Sequence, residues 1–249
     1  MAKAGSKKRK IIICIVSIVA VIALLFGACA VYLGDYYHAI TPAGESFGLR
    51  DGSSLTETIK LDNGNIVCKG ENATKGLIFY PGGKVEYTAY LPLMESLAQK
   101  GILCVLVKMP FNLAVFDVNA ADGIREMFPE ITDWYIGGHS LGGSMAAAYL
   151  EKHPSDFKGL LLLAAYSTAD ISNENIKTLS IYGSNDGVLN REKYEQYRSN
   201  LPKLTEYIID GGCHAYFGVY GSQDGDGTPT IDNARQINLT ADAVAKWVG

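Results

Sequence analysis

Hydrophobic and polar positions divide the chain into two unlike parts. Residues 11 to 33 hold no charged side chain, and within them only Ser17 and Gly27 fall outside the apolar set. As a helix rising about 1.5 Å per residue, this stretch is about 35 Å long, enough to cross a hydrocarbon core of about 30 Å. A helix on the surface of a globular domain would keep one polar face, and this one has none. Residues 34 to 54 are polar and Gly-rich and read as a stalk. From residue 55 onward, short Val/Ile/Leu runs alternate with segments of helical period.

Thr58 to Leu61 and Ile66 to Lys69 flank Asp62-Asn-Gly-Asn65, a turn sequence that predicts a hairpin. Strands are then predicted at Gly76 to Phe79, Ile102 to Lys108, Trp134 to Gly137, Gly159 to Ala164, Leu179 to Tyr182 and Thr205 to Ile209. Helices are predicted near Tyr87 to Lys100, Val118 to Phe128, Leu141 to Lys152, Arg191 to Asn200 and Ile231 to Val248. Strands that are apolar on both faces belong to a parallel sheet covered by helices on each side, so the second part is expected to be a doubly wound α/β domain over residues 55–249. Only about fourteen residues separate the strand ending at Ala164 from the one starting at Leu179. Any lid inserted there is minimal and leaves the neighbouring site open, which suits small or exposed esters better than long lipid chains.

Charge gives the first part an orientation. Lys3, Lys7, Lys8, Arg9 and Lys10 crowd residues 1–10, and Tyr32, Tyr36 and Tyr37 follow the apolar run. Basic residues favour the cytoplasmic side and tyrosines the interface, so residues 11–33 are expected to be a single-pass signal anchor with the α/β domain outside the cytoplasm. Ala28-Cys29-Ala30 has the small-x-small form of a signal-peptidase site and carries the alternative, a secreted product. The apolar run exceeds the roughly 7 to 15 residues of a signal peptide's core and favours the anchor. The whole chain carries a formal charge of −4; without the first 33 residues, 17 basic face 26 acidic residues, a charge of −9. Nucleic acid is therefore not an expected partner. Cys68, Cys104 and Cys213 lie outside the apolar run, and an odd number gives no reason to expect a disulfide.

The chemistry gathers at strand ends. Gly138-His-Ser-Leu-Gly142 joins a predicted strand to a predicted helix, the setting of a nucleophile elbow with Ser140 at its tip. A serine hydroxyl needs a base oriented by a third group. Of the four histidines, His214, in Gly211-Gly-Cys-His-Ala215 after the last predicted strand, occupies a carboxyl-end loop and is the candidate base. Asp186, in Gly183-Ser-Asn-Asp-Gly187, is the candidate acid; Asp210 is its rival but stands too near His214 to reach back. Backbone N–H groups of Leu141 and Gly83 are the candidate oxyanion donors, Gly83 belonging to Tyr80-Pro-Gly-Gly-Lys-Val85. Lys84 beside it and Asn112, in Met109-Pro-Phe-Asn112, are candidates for the substrate side of the site. Asp224-Gly-Asp-Gly-Thr228 echoes the start of a calcium loop but lacks the later ligands and reads as a turn. No Cys/His cluster has zinc spacing and no phosphate-cradling Gly-x-x-x-x-Gly-Lys is present, so neither metal nor cofactor is expected.

Five ordered motifs, Phe79-Tyr-Pro-Gly-Gly-Lys-Val85, Lys108-Met-Pro-Phe-Asn-Leu-Ala114, Gly137-Gly-His-Ser-Leu-Gly-Gly143, Tyr182-Gly-Ser-Asn-Asp-Gly187 and Gly211-Gly-Cys-His-Ala-Tyr-Phe-Gly218, resemble the fold-5 type family of small α/β hydrolases over about residues 76 to 248. The resemblance implies an α/β-hydrolase fold and a Ser-Asp-His triad carried by Ser140, Asp186 and His214. Related proteins often have Asn where Cys213 stands. The expected activity is cleavage of a small-molecule ester or related acyl bond through an acyl-enzyme. Acyl transfer or thioester cleavage by the same triad, and a noncatalytic binding module on the same fold, are the alternatives.

Overall fold

The computed structural model describes residues 2–40 and 56–249. It divides into two units, residues 1–36 and 37–249. The first is a single helix, α1 (Ala2–Gly34). Its portion Ile15–Gly34 is long and apolar enough to cross a membrane, and the side chains of that portion are solvent-facing in the isolated chain. A membrane anchor and a signal sequence both meet this description.

The second unit is built on an eight-stranded sheet of order β1-β2-β4-β3-β5-β6-β7-β8. β1 (Thr56–Lys60) and β2 (Ile66–Gly70) form the predicted hairpin, and β2 pairs antiparallel with β4 (Ile102–Leu106). β3 (Lys75–Tyr80), β4, β5 (Asp133–His139), β6 (Gly159–Leu163), β7 (Lys177–Gly183) and β8 (Leu204–Ile209) run parallel. The hairpin turn closes through Gly64 N–H to the Leu61 carbonyl, with Gly64 at φ 87°, a conformation glycine adopts without strain.

Alternate residues of the central parallel strands feed two cores, which is why β4 and β6 carry no polar side chain. Leu77, Phe79, Leu161 and Leu163 meet α2 (Leu91–Ala98) and α5 (Asn233–Val248) on one face. Ile78, Tyr80, Leu160 and Leu162 meet α3 (Leu141–Lys152) on the other. α4 (Arg191–Tyr197) precedes β8 and buries Tyr194. Cys68 and Cys104 lie opposite each other on β2 and β4, buried and unbridged.

Two expectations are corrected. Residues 118 to 128 do not form an α-helix; they wind through successive i→i−3 turns with only a short 3₁₀ segment, Arg125–Met127. The Tyr80 hydroxyl donates to the Val118 carbonyl and accepts from the Ala121 N–H, capturing two backbone groups from outside the segment. Gly123 at φ 74° breaks the helical run as well. The stalk expected over 34–54 is docked at its start. Tyr37 N–H donates to the Lys84 carbonyl, Glu86 N–H to the Tyr37 carbonyl, and Ile40 N–H to the Val219 carbonyl. The rest of that segment, residues 41–54, lies outside the described residues. Between Ala164 and Ile176 the chain is irregular, with no helix of its own. It is pinned by the Ser144 hydroxyl donating to the Tyr166 carbonyl at 2.7 Å.

Candidate active site

Ser140 sits between β5 and α3 with φ 50° and ψ −123°, outside the regions a side-chain-bearing residue prefers. Such strain persists only where its surroundings enforce it, and it clusters at reactive sites. Here close backbone approach does the enforcing. A Cβ on Gly138 would stand 2.4 Å from the Tyr80 carbonyl oxygen, and one on Gly142 would stand 2.2 Å from that of Pro81. The two glycines of the elbow therefore let the β5–α3 turn press against the end of β3. Ser140 N–H is tied to the Leu163 carbonyl, leaving the side chain half-exposed at the head of α3.

His214 and Ser140 line one cavity of about 260 Å3, together with Leu141, Ala165, Tyr166 and Leu189. His214 is 1% exposed, and its Nδ1 lies 3.1 and 3.0 Å from the two carboxylate oxygens of Asp186. With Nδ1 so engaged, Nε2 is the ring nitrogen left over, buried and without a hydrogen-bond partner among the described residues. Asp186 is itself oriented: its Oδ1 accepts the N–H groups of Val188 and Leu189 at 2.9 and 2.8 Å. Asp210, the rival acid, is exposed and meets the Ser184 hydroxyl instead.

The β3 loop brings Gly83 against Leu141, since a Cβ on Gly83 would stand 2.8 Å from Leu141 Cδ2. In that loop Gly82 N–H donates to the Tyr90 hydroxyl at 3.1 Å and Lys84 N–H to the Asn112 carbonyl at 2.8 Å. Gly83 N–H, between them, has no partner among the described residues, and Leu141 N–H opens a helix whose first N–H groups are intrinsically unpaired. Asn112 and Lys84 are thus joined through backbone, and both adopt positive φ, 55° and 58°. Neither lines the cavity beside Ser140.

Several supporting groups escape sequence reasoning. Tyr90 bonds His139 Nδ1 at 2.7 Å, so one hydroxyl ties the β3 loop to the residue preceding Ser140. Burial raises the Tyr90 phenol and, with His214 close by, holds the His139 imidazole well below its ordinary range. His139 lies against His214, ring centroids 4.5 Å apart. From α5, the buried Gln236 accepts the Cys213 N–H at 3.0 Å and donates to the Cys213 carbonyl at 2.8 Å. Tyr90 lies 49 residues from His139 and Gln236 lies 23 residues from Cys213, and nothing local in the sequence marks either. A larger cavity, about 550 Å3, opens between β8 and α5 beside Tyr207 and Trp247, and neither Ser140 nor His214 lines it.

The model of the alpha/beta hydrolase family matches residues 76–238, well over half of the chain. The chain belongs to the alpha/beta hydrolase family. That match takes in Gly83, Ser140, Asp186 and His214. A curated relative, proline iminopeptidase of Thermoplasma volcanium, is 25% identical over 152 residues, which are 56% of this chain and 48% of that protein. The chain thus spans about half the length of the curated relative it matches. Among solved structures, dienelactone hydrolase from Anabaena variabilis superposes with a TM-score of 0.57 at 14% identity, covering 78% of this chain and 97% of that one. A sugar hydrolase from Lactococcus lactis gives 0.55 at 15% identity, covering 78% and 98%. At such identities the solved structures establish that this alpha/beta hydrolase shares their fold.

Proposed function

We propose that this alpha/beta hydrolase is a serine hydrolase that cleaves a small ester or related acyl bond through an acyl-enzyme. The observation that carries the reading is the shared cavity of Ser140 and His214, with Asp186 gripping Nδ1 and leaving Nε2 for proton transfer. Ser140 Oγ attacks the carbonyl carbon while His214 Nε2 takes the hydroxyl proton. The tetrahedral oxyanion is held by the N–H groups of Leu141 and Gly83. As the C–O bond breaks, the alkoxide leaves with the proton from His214, and the acyl group remains on Ser140. Water then gives its proton to His214 and attacks the acyl carbon; Ser140 leaves, recovering that proton. The cavity of about 260 Å3 lies below the roughly 300–1,000 Å3 of ordinary small-molecule pockets, which supports a short acyl group. Lys84 and Asn112 remain candidates for contacts at the substrate's outer end.

A fluorophosphonate probe should label the wild-type protein and leave Ser140→Ala unlabelled; equal labelling of the two would remove Ser140 from the mechanism. A wild type that resists the probe and turns over no ester would favour the binding-module reading. An ester panel graded by acyl length, run with water, alcohol and thioester partners, separates hydrolysis from acyl transfer and thioester cleavage.

The same proposal places residues 11–33 across a membrane, with the catalytic unit on the far side from the basic N-terminus. Fractionation of expressing cells should recover the full-length chain with membranes, whereas a soluble product lacking the first 30 residues would mark a cleaved signal.

A further inference from the structure

The turn Asp224-Gly-Asp-Gly-Thr228 does more than reverse the chain. Asp226 Oδ1 accepts N–H groups from His214 at 3.0 Å, Gly187 at 3.2 Å and Gly227 at 2.8 Å, and Oδ2 accepts the Ala215 N–H at 2.9 Å. A carboxylate that only capped its own turn would bond one or two residues away. Three of these four donors come from elsewhere in the chain. Two belong to the loop of the base and one to the residue after the acid.

The three loops meet backbone to backbone. A Cβ on Gly187 would stand 2.5 Å from the Gly225 carbonyl oxygen, and one on Gly227 would stand 1.8 Å from that of Asn185. Asn185 Nδ2 donates to the Thr228 carbonyl at 2.9 Å, a second tie between the acid loop and this turn. Burial pushes the Asp226 carboxyl up, but the N–H groups of Ala215, His214 and Gly187 outweigh it and hold the group below the ordinary carboxylate range.

We propose that Asp226 is a positioning residue: by accepting N–H groups from both loops, its carboxylate sets how far His214 stands from Asp186 and keeps the imidazole seated on its acid. This rests on the triad of the proposed function. Gln236 holds the Cys213 backbone from the helix side, so residues 213 to 215 are fixed from two directions, and Asp226 is the one of the two that also reaches the acid loop.

The test uses the full-length protein with Asp226→Ala and Asp226→Asn, beside Asp224→Asn as a control. Three measurements are made: probe-labelling rate, ester kinetics, and the downfield proton resonance of the imidazole Nδ1–H donated to Asp186. Asp226→Ala is expected to lower kcat about 10- to 100-fold with KM within about twofold, the scale of a small misplacement of reacting groups, and to lose or shift the resonance. Asp226→Asn keeps a carbonyl for three of the four donors and should recover part of the loss. Asp224→Asn should match the wild type. If Asp226→Ala fails to fold, Asp226→Asn decides: a kcat below wild type with a displaced resonance supports the role. An Asp226 variant that folds, labels at the wild-type rate and keeps the resonance overturns it while leaving the triad standing. A wild type with neither labelling nor the resonance overturns the triad and this role together.

Discussion

Replacing Asp186 by Asn offers the sharpest test of the proposed triad, because the structure dictates which atom changes. The Oδ1 oxygen accepts the N–H groups of Val188 and Leu189, so the amide oxygen of Asn stays there. Its NH2 then takes the place of Oδ2, 3.0 Å from His214 Nδ1. That donor competes for Nδ1 with the amide oxygen, which keeps the 3.1 Å contact of Oδ1, and it favours the neutral imidazole with its proton on Nε2, the nitrogen that must accept the Ser140 proton. A triad histidine held in the wrong tautomer loses roughly 10⁴-fold in kcat, which at ~1.4 kcal/mol per tenfold is about 5.5 kcal/mol of transition-state stabilisation. Stability should move far less, since the two loop hydrogen bonds survive. Steady-state ester hydrolysis, probe-labelling rate and a thermal melt on the same preparation check this. An Asp186→Asn protein that melts like wild type and keeps more than a tenth of its kcat would refute the assignment of Asp186 as the orienting acid.

Two further outcomes concern groups around the sheet. Tyr90→Phe strips a partner from the buried Gly82 N–H and from His139 Nδ1. At about 1–3 kcal/mol for each of the two orphaned groups, chemical denaturation should show a loss of roughly 2–6 kcal/mol, with lower kcat as the Gly83 loop loosens; unchanged stability would mean that these bonds contribute nothing net. Glu95 on α2 is buried, which pushes its carboxyl up from 4.5 to about 7, opposed by the Thr58 hydroxyl. Because the folded state holds this proton more tightly than the unfolded chain, the folded protein is favoured below pH 4.5 and loses that advantage as pH rises through 7. Glu95→Gln does not titrate, so its stability relative to wild type should rise by up to about 3 kcal/mol between pH 4.5 and pH 8; a gap that stays level across that range in urea titrations would contradict the burial argument.

Much of this molecule is written locally. Runs with apolar residues on both faces, such as those of β4 and β6, require a sheet covered on each side, and the structure places each predicted parallel strand within two residues of its expected start. The Gly-x-Ser-x-Gly turn is legible for the same reason: glycine is needed where backbones approach within bonding distance, and the carbonyls of Tyr80 and Pro81 lie at that range from Gly138 and Gly142. Asp186 and His214 follow strands, so their arrival at one end of the sheet is a consequence of topology. Local sequence failed at residues 118 to 128, where helical periodicity lost to the hydroxyl of Tyr80, a partner some forty residues earlier in the chain. It was silent on Tyr90, Gln236 and Asp226. Each of these makes at least one bond to a segment more than twenty residues away, His139 for Tyr90, Cys213 for Gln236 and Gly187 for Asp226, and such a bond leaves no periodicity to detect. The sequence by itself determined the order of elements and the residues at their ends. Tertiary structure alone decided which groups hold those ends at working distance, because that depends on where backbone N–H groups of separate loops converge on one oxygen.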